Sequence, residues 1–410
     1  MDNTLREKAN RIIEASINAV LPDKAVIRAL SNRELSGNIY LVAVGKAAWQ
    51  MAKTAYDYLG ERINRGIVIT KYKHVKGKIG NFTCLEAGHP VPDNNSFVAT
   101  QKVIDLVANL NANDTVLFLL SGGGSALFEK PLIEAKKLED ITNQLLGCGA
   151  SITEINTIRK RLSAVKGGKF AQICSPAKVF SIVLSDILGD PLDMIASGPT
   201  TPDLSSCDDA RKIVKKYNLK IDYEIEDLLN IETPKELFNV TNQITGSVSQ
   251  LCSAAASACK LEGYKPIILT DFLECEARQA GIFLSDILKT HRNTKEKLAF
   301  IVGGETVVKL TGSGKGGRNQ ELALASAPAI DAIRGAAIFS VGSDGTDGPT
   351  DAAGGYVDYT SLSELSDKNI NIYDILQNND AYYALSAIDG LIITGPTGTN
   401  VNDVAVALIG

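Results

Sequence analysis

The sequence of 410 residues predicts an α/β protein that is organised in two domains. Short apolar runs alternate with helical patterns along the chain, as in parallel sheets that are covered by helices on both faces. A polar and acidic stretch at about 200–243 separates two such series, so we place the domain boundary between residues 240 and 241. The length also suits more than one domain, since a domain usually has about 100–200 residues.

The N-terminal domain, residues 1–240, is predicted to open with a helix, because apolar residues recur on one helical face up to Pro22. Buried strands are then expected at 39–44, 66–70, 115–120 and 178–184. The C-terminal domain, residues 241–410, repeats the alternation with strands expected at 265–270, 298–302, 336–341 and 391–394. A last strand at 401–409 packs either in this domain or back on the first one.

Composition excludes several classes of protein. The chain has 42 Lys+Arg and 47 Asp+Glu residues, which argues against nucleic-acid binding through bulk positive charge. No apolar run reaches the roughly 18–20 residues of a membrane span, and the first residues lack the pattern of a signal peptide, so we expect a cytoplasmic protein without membrane partners. The seven cysteines form no CxxC pair, and we expect free, mostly buried thiols rather than a zinc site.

Flexible glycine-containing turns follow five of the predicted strands. Ligands of open parallel sheets bind outside the carboxyl ends of the strands, and glycines let backbone N–H groups approach a phosphate. Five such turns at one predicted sheet edge therefore favour a nucleotide or another phosphate-bearing ligand. The turns lie at 45–46, 121–125, 303–306, 342–348 and 395–400, and the best candidates for phosphate binding are Ser121, Gly122, Gly123, Gly124 and Ser125.

The absence of standard nucleotide-binding motifs limits the kinds of nucleotide site that this chain can form. No Walker A loop is present, and the protein-kinase motifs are absent. The segment 312–317 matches GxGxxG between a strand-like run at 306–311 and a helix-like run, but the acidic residue expected about 20 residues later is missing. Lys315 and Arg318 beside Gly316 and Gly317 suit a charged transferring group better than a nicotinamide ring.

Acidic residues after strands are candidates for metal binding and proton transfer. Asp344 and Asp347 lie in one loop, and clustered oxygen ligands of this kind suit Mg²⁺. Asp186 follows another buried strand and is a candidate metal ligand or general base. Lys46 follows the first strand, where its charge would face the ligand crevice. His89 precedes Pro90, and we expect it to be structural.

Several blocks together resemble the class II glycerate 2-kinases, whose C-terminal half is the MOFRL domain. The resemblance spans about residue 40 to the C-terminus and is carried by the blocks VGKAA at 44–48, AGHPVPD at 87–93, SGGGSAL at 121–127, SGPT at 197–200, GKGGRNQE at 314–321 and GSDGTDG at 342–348. It implies a Rossmann-like N-terminal domain, a smaller α/β MOFRL-type C-terminal domain, and an active-site cleft between them.

The resemblance also implies a reaction, namely the ATP-dependent phosphorylation of D-glycerate to 2-phosphoglycerate. It assigns catalytic roles to Lys46 and Arg318. We hypothesise that Mg²⁺ bridges the phosphates near Asp344 or Asp347 and that Asp186 or one of these acids receives the hydroxyl proton, and we consider Arg159 or Lys166 for the carboxylate of glycerate. The alternative is an NAD(P)-dependent hydroxypyruvate reductase that uses the loop 312–317, a label that members of the family have carried. The oligomeric state stays open, with a homodimer as one candidate.

Overall fold

The computed structural model describes residues 1–31 and 33–410, in which helices and strands alternate. The α-helices are α1 (Asn3–Ala19), α2 (Pro22–Ser31), α3 (Ala48–Leu59), α4 (Asn94–Val107), α5 (Gly124–Leu127), α6 (Ala135–Gly147), α7 (Ile152–Leu162), α8 (Lys169–Cys174), α9 (Cys207–Tyr217), α10 (Tyr223–Leu229), α11 (Val248–Leu261), α12 (Ala277–Thr290), α13 (Arg318–Ile330), α14 (Ser361–Asp367), α15 (Ile372–Gln377) and α16 (Ala381–Ala387). The strands are β1 (Ile39–Val44), β2 (Ile63–Lys71), β3 (Thr83–Ala87), β4 (Thr115–Leu120), β5 (Lys178–Leu184), β6 (Val240–Gly246), β7 (Lys265–Leu273), β8 (Leu298–Gly304), β9 (Ala337–Gly342), β10 (Gly354–Asp358), β11 (Leu391–Ile392) and β12 (Asp403–Ile409).

The chain divides into two compact units, Val26–Thr245 and Met1–Ala25 together with Gly246–Gly410. The first helix therefore belongs with the C-terminal residues, which differs from the predicted split into 1–240 and 241–410. On α1, Arg11 pairs with Glu262 at 2.7 Å and Arg6 donates a hydrogen bond of 2.7 Å to the carbonyl of Leu391. An amphipathic pattern predicts that a helix packs, but it does not identify the sheet that receives it.

The unit Val26–Thr245 is built on a six-stranded sheet in the order β3-β2-β1-β4-β5-β6. The pairs β3–β2, β2–β1, β1–β4 and β4–β5 are parallel, and the sequence predicts this arrangement for the last three. Every residue of β4 is buried, which explains why this strand is apolar throughout. The carboxyl ends of β1 and β4 are neighbours at one edge of the sheet, so the turns that follow them meet.

The second unit also has a six-stranded sheet, in the order β11-β10-β9-β12-β8-β7. Here β7–β8 is parallel, whereas β12 is antiparallel to both β8 and β9, and β10 is antiparallel to β9. The open question about the last strand is thereby answered, since β12 lies inside the C-terminal sheet. The expectation of five glycine turns at one sheet edge is wrong, because two of them follow strands of the first sheet and three follow strands of the second.

All seven cysteines are free, and four of them are buried, in agreement with the sequence prediction. Burial raises the pKa of the Cys252 and Cys259 thiols to about 12, so both are inert at neutral pH. Among the described residues, no helix combines the length and apolar character that a membrane span requires.

Candidate active site

The turns after β1 and β4 interlock at the carboxyl edge of the first sheet. The N–H of Lys46 donates to the carbonyl of Gly122 at 2.9 Å, and the N–H of Ala47 donates to Ser121 Oγ at 3.1 Å. Gly45 has φ +121°, and a Cβ at this position would lie 2.2 Å from Ser121 Oγ. Only glycine permits this approach, and the predicted Lys46 is consequently fixed beside the predicted phosphate-binding residues.

The glycines of residues 121–125, which we call the glycine loop, each make room for another side chain. A Cβ on Gly122 would lie 2.2 Å from Asp186 Oδ2, and one on Gly123 would lie 2.9 Å from the His89 ring and 3.3 Å from Lys46 Cγ. The structure therefore gathers Lys46, His89 and Asp186 around the glycine loop. We call these three residues and the loop the glycine-loop cluster.

His89 is the member of this cluster that the sequence analysis missed. It follows β3, an edge strand that the residue pattern did not predict, because only Ala87 in this strand is fully buried. Partial burial lowers the pKa of His89 below its usual value, and the positive charges of Lys46 and Lys71 lower it further. The imidazole is therefore neutral at pH 7. Its position could not be inferred from the residue pattern, because it depends on this unpredicted strand.

A left-handed turn packs against the glycine loop from the side of β5. Ala196, Ser197 and Gly198 have φ values of +52°, +59° and +65°, and a Cβ on Gly124 would lie 2.7 Å from Ala196 Cβ. Ser197 Oγ donates to Asn156 Oδ1 at 2.9 Å, which ties the turn to α7. Two non-glycine residues in this region cost about 1–3 kcal/mol each, so the surrounding structure must stabilise the turn.

A buried cluster of charged side chains binds the backbone at the end of the glycine loop. The ammonium of Lys166 donates to the carbonyls of Ser125 at 2.9 Å and Phe128 at 3.1 Å and lies 3.5 Å from Glu129 Oε2. Arg159 also donates to the carbonyl of Ser125, at 3.2 Å. Lys166 and Glu129 are fully buried, and burial lowers the pKa of Lys166 to about 8. Lys166 is thus used inside the protein, which argues against its predicted contact with a substrate carboxylate.

Arg318, the first residue of α13, is held by two carboxylates in the second unit. Its Nε and Nη2 atoms lie 2.6 and 3.2 Å from the two oxygens of Asp403, and Nη1 lies 2.8 Å from Glu305 Oε1. Asp403 begins β12 and pairs with Gly304 of β8 and Gly342 of β9. Because β8 and β9 both run antiparallel to β12, Arg318 is fixed where these two strands end.

Burial and charge have opposite effects on the pKa values of Arg318 and Asp403. Burial raises the pKa of Asp403 to about 6, although its hydrogen bonds with Arg318 favour the charged form. For Arg318, burial opposes the charge, but the hydrogen bonds and the charge of Asp403 outweigh this effect and raise the pKa above its usual value. The guanidinium is charged at any working pH, and its side chain remains one-third exposed (33%).

In the acidic loop after β9, Asp344 and Asp347 have different surroundings. Asp347 is buried, and its oxygens accept hydrogen bonds from the N–H groups of Asn319 at 3.1 Å and Gln320 at 2.9 Å. It thus caps the N-terminus of α13, and both of its oxygens are engaged there. Asp344 is partly exposed and accepts one hydrogen bond, from the N–H of Thr346 at 2.9 Å. Of these two predicted metal ligands, Asp344 therefore has the more accessible carboxylate.

Much of the backbone of the loop 312–317 is already hydrogen-bonded within the protein. Its N–H groups up to Lys315 pair with the chain at Asn378–Asp380: Gly312 donates to Asn379 Oδ1 at 2.9 Å, and Lys315 donates to Asp380 Oδ1 at 2.9 Å. The Lys315 ammonium lies 4.1 Å from the centre of the Tyr382 ring, and a Cβ on Gly317 would lie 2.3 Å from the Asp347 carboxyl carbon. The run at 306–311 is not a strand, which removes the context that a dinucleotide loop requires.

Comparison with known proteins gives the chain a family. One family model, described as a domain of unknown function (DUF4147), matches residues 8–230, and the MOFRL family matches residues 298–403. A D-glycerate 2-kinase from Thermotoga maritima is 51% identical over 99% of this chain and 99% of its own length. The chain belongs to the glycerate 2-kinase family with a MOFRL domain.

Two further proteins are similar to nearly the whole chain. The crystal structure of a glycerate kinase from Thermotoga maritima superposes with a TM-score of 0.96 at 50% identity and covers 99% of this chain and 100% of its own. A putative hydroxypyruvate reductase from Agrobacterium vitis is 37% identical over 91% of this chain and 100% of its own length. The family resemblance that the sequence motifs indicated is thereby confirmed, as is the mixed α/β fold.

Proposed function

We propose that this protein transfers the γ-phosphoryl group of ATP to the 2-hydroxyl of D-glycerate and releases 2-phosphoglycerate and ADP. The observation that carries the proposal is full-length similarity, at 51% identity, to a D-glycerate 2-kinase. The glycine-loop cluster adds support, because it places a lysine and flexible backbone at the carboxyl edge of a parallel sheet, where phosphates bind in such folds.

Phosphoryl transfer requires alignment of donor and acceptor and compensation of the charge that develops on the transferring oxygens. We assign the glycine loop to phosphate binding. The N–H groups of Gly124 and Ser125 stand in the first turn of α5, where a helix offers them no acceptor of its own. Lys46 supplies a positive charge beside them. The ion cluster of Glu129, Lys166 and Arg159 holds the carbonyl end of α5 and so keeps the loop in place.

Two bonds to phosphorus change in the reaction, and one proton is transferred. The oxygen of the 2-hydroxyl forms a bond to the γ-phosphorus, and the bond from that phosphorus to the bridging oxygen of ATP breaks. We assign the proton of the hydroxyl to Asp186, which lies against Gly122 of the glycine loop. Arg318 is the second catalytic cation of the proposal, and its salt bridges to Asp403 and Glu305 orient the guanidinium before substrate arrives.

Magnesium is the expected companion of ATP. The described residues contain no group of three or more His, Cys, Asp or Glu side chains that is arranged to hold a metal ion on its own. Magnesium at kinase sites is bound by one or two carboxylates together with substrate phosphates and water, so the single partly exposed carboxylate of Asp344 fits such a shared site. When bound, the ion would neutralise phosphate charge.

The test combines two assays on one purified preparation. The protein is incubated with D-glycerate, ATP and Mg²⁺ and the products are identified by phosphorus NMR, while NADH oxidation is followed in parallel with hydroxypyruvate. Formation of 2-phosphoglycerate without NADH oxidation supports the kinase and its regiochemistry, since 3-phosphoglycerate has a different signal. NADH oxidation without a phosphoester would favour the reductase. A cytoplasmic location and a homodimer complete the proposal, and cell fractionation and light scattering test them.

A further inference from the structure

The imidazole of His89 lies in the glycine-loop cluster without an assigned role. We propose that His89 is a further catalytic residue, which donates a hydrogen bond to the phosphoryl group that the glycine loop and Lys46 bind. The proposal rests on the kinase function proposed above and adds a residue to its site.

The position of the ring follows from the backbone of Gly123. A Cβ on this glycine would lie 2.9 Å from Cδ2 and 3.1 Å from Nε2 of His89, and 3.3 Å from Cγ of Lys46. The edge of the ring that carries Nε2 and the stem of the lysine therefore both lie next to the same loop residue. A phosphate bound by the neighbouring N–H groups of the loop would lie beside both side chains.

The chain on both sides of His89 is fixed before a ligand binds. The carboxylate of Asp93 caps α4 through the N–H of Ser96 at 3.0 Å, and a Cβ on Gly88 would lie 2.9 Å from its carboxyl carbon. Tyr72 donates a further hydrogen bond to Asp93. Neither ring nitrogen of His89 has a hydrogen-bond partner among the described residues. The ring is thus held in place while its polar atoms remain available to a ligand.

The charge state of the ring suits a donor that retains its proton. Two cations, Lys46 and Lys71, face His89, and with partial burial they keep the imidazole neutral at pH 7. A neutral imidazole carries one N–H, which gives a directed hydrogen bond without a third positive charge in the cluster. While the γ-phosphorus exchanges its bond to the bridging oxygen of ATP for a bond to glycerate, the N–H of His89 stays intact.

Substitutions separate this role from the alternatives. His89→Leu removes the donor, and we expect kcat to fall about 10²-fold, as when a single donor to a transition-state oxygen is lost. His89→Gln keeps an N–H donor and should recover at least tenfold of that loss. His291→Gln is the matched control, because His291 stacks on Phe300 in the other unit, and its kcat should equal that of the wild type. Unchanged kinetics in His89→Leu would overturn the proposal, and so would equal losses in the leucine and glutamine variants.

A measurement on the wild-type protein covers the case in which the leucine variant does not fold. The chain has three histidines, so the imidazole signals in a proton–carbon NMR spectrum are readily assigned. We expect β,γ-imido-ATP with Mg²⁺ to shift the His89 signals and to leave those of His291 in place. An unmoved His89 signal at saturation would overturn the proposal. An inactive wild type would refute the kinase function itself, whereas an active wild type with an indifferent His89 would refute only the role of this residue.

Discussion

Replacement of Arg318 by methionine should nearly abolish turnover. An arginine that stabilises the charge of a transferring phosphoryl group is worth about 10³–10⁵ in kcat. One-third of the Arg318 side chain is exposed, so the side chain remains accessible to a ligand even though Asp403 and Glu305 bind it. The assay is kcat at saturating D-glycerate and ATP.

The same substitution should also lower the free energy of unfolding. Asp403 has a side-chain exposure of 10%, and removal of its partner leaves a buried carboxylate without a counter-charge. Breaking a buried ion pair costs about 3–5 kcal/mol, and the partial exposure of Arg318 reduces our expectation to about 2 kcal/mol. This loss depends on pH, because the pKa of Asp403 is already raised by burial to about 6 in the folded wild type.

The sign of that dependence follows from proton linkage. A carboxyl whose pKa is higher in the folded state than in the unfolded state destabilises the fold as pH rises through that interval. Without Arg318 the folded pKa of Asp403 rises further, so the variant should lose more stability at pH 8 than at pH 5. Urea unfolding at the two values measures the difference.

A double variant separates stability from catalysis. Arg318→Met combined with Asp403→Asn removes both charges, and we expect it to unfold at nearly the urea concentration of the wild type while kcat stays about 10³-fold low or lower. A kcat within tenfold of the wild type in the single variant would refute the catalytic assignment. Recovery of activity in the double variant would refute it as well, since the effect would then come from the unpaired carboxylate.

Three further substitutions test separate parts of the account. Lys46→Ala should remove activity. The partly exposed Lys53, which pairs with Asp57 on α3, should tolerate the same change, and steady-state kinetics of the two variants tests the difference. Gly123→Ala should lower kcat and raise the KM for ATP, because φ is +88° and the added Cβ would displace the His89 ring. Normal kinetics in this variant would contradict the close approach of His89 to Gly123. Asp347→Asn should lower the free energy of unfolding by about 1 kcal/mol, because it weakens the cap of α13. The dependence of kcat on Mg²⁺ should stay unchanged, and an altered dependence would return Asp347 to the metal site.

The predicted strands of the first sheet were found because they are buried on both faces. Such strands are apolar throughout, as in β1 and β4, and glycine turns mark their ends. By contrast, β3 lies at the sheet edge and β10 begins with two glycines, so neither has the apolar signature. Strand direction in the second sheet was not predictable either, since pairing joins residues far apart in sequence, as in β12 with β8.

In the candidate site, too, some features were predictable from the sequence and others were not. Lys46 and the glycine loop were predictable because each follows a buried strand of the same sheet. The capping role of Asp347 was not, because loop spacing gives no direction for a side chain, and the contact of His89 with Gly123 depends on a strand that was not predicted. The GxGxxG match at 312–317 shows the opposite case: the letters occur without a preceding strand, and the N–H groups of Gly312, Ser313 and Lys315 are already paired with other residues.

The phosphorus NMR spectrum of the wild-type reaction with Mg²⁺ decides whether this protein transfers a phosphoryl group from ATP to D-glycerate. We expect the signals of 2-phosphoglycerate and ADP in equal amounts, and neither signal above background with Lys46→Ala. A spectrum that retains only ATP, from a preparation that oxidises NADH with hydroxypyruvate, would contradict it.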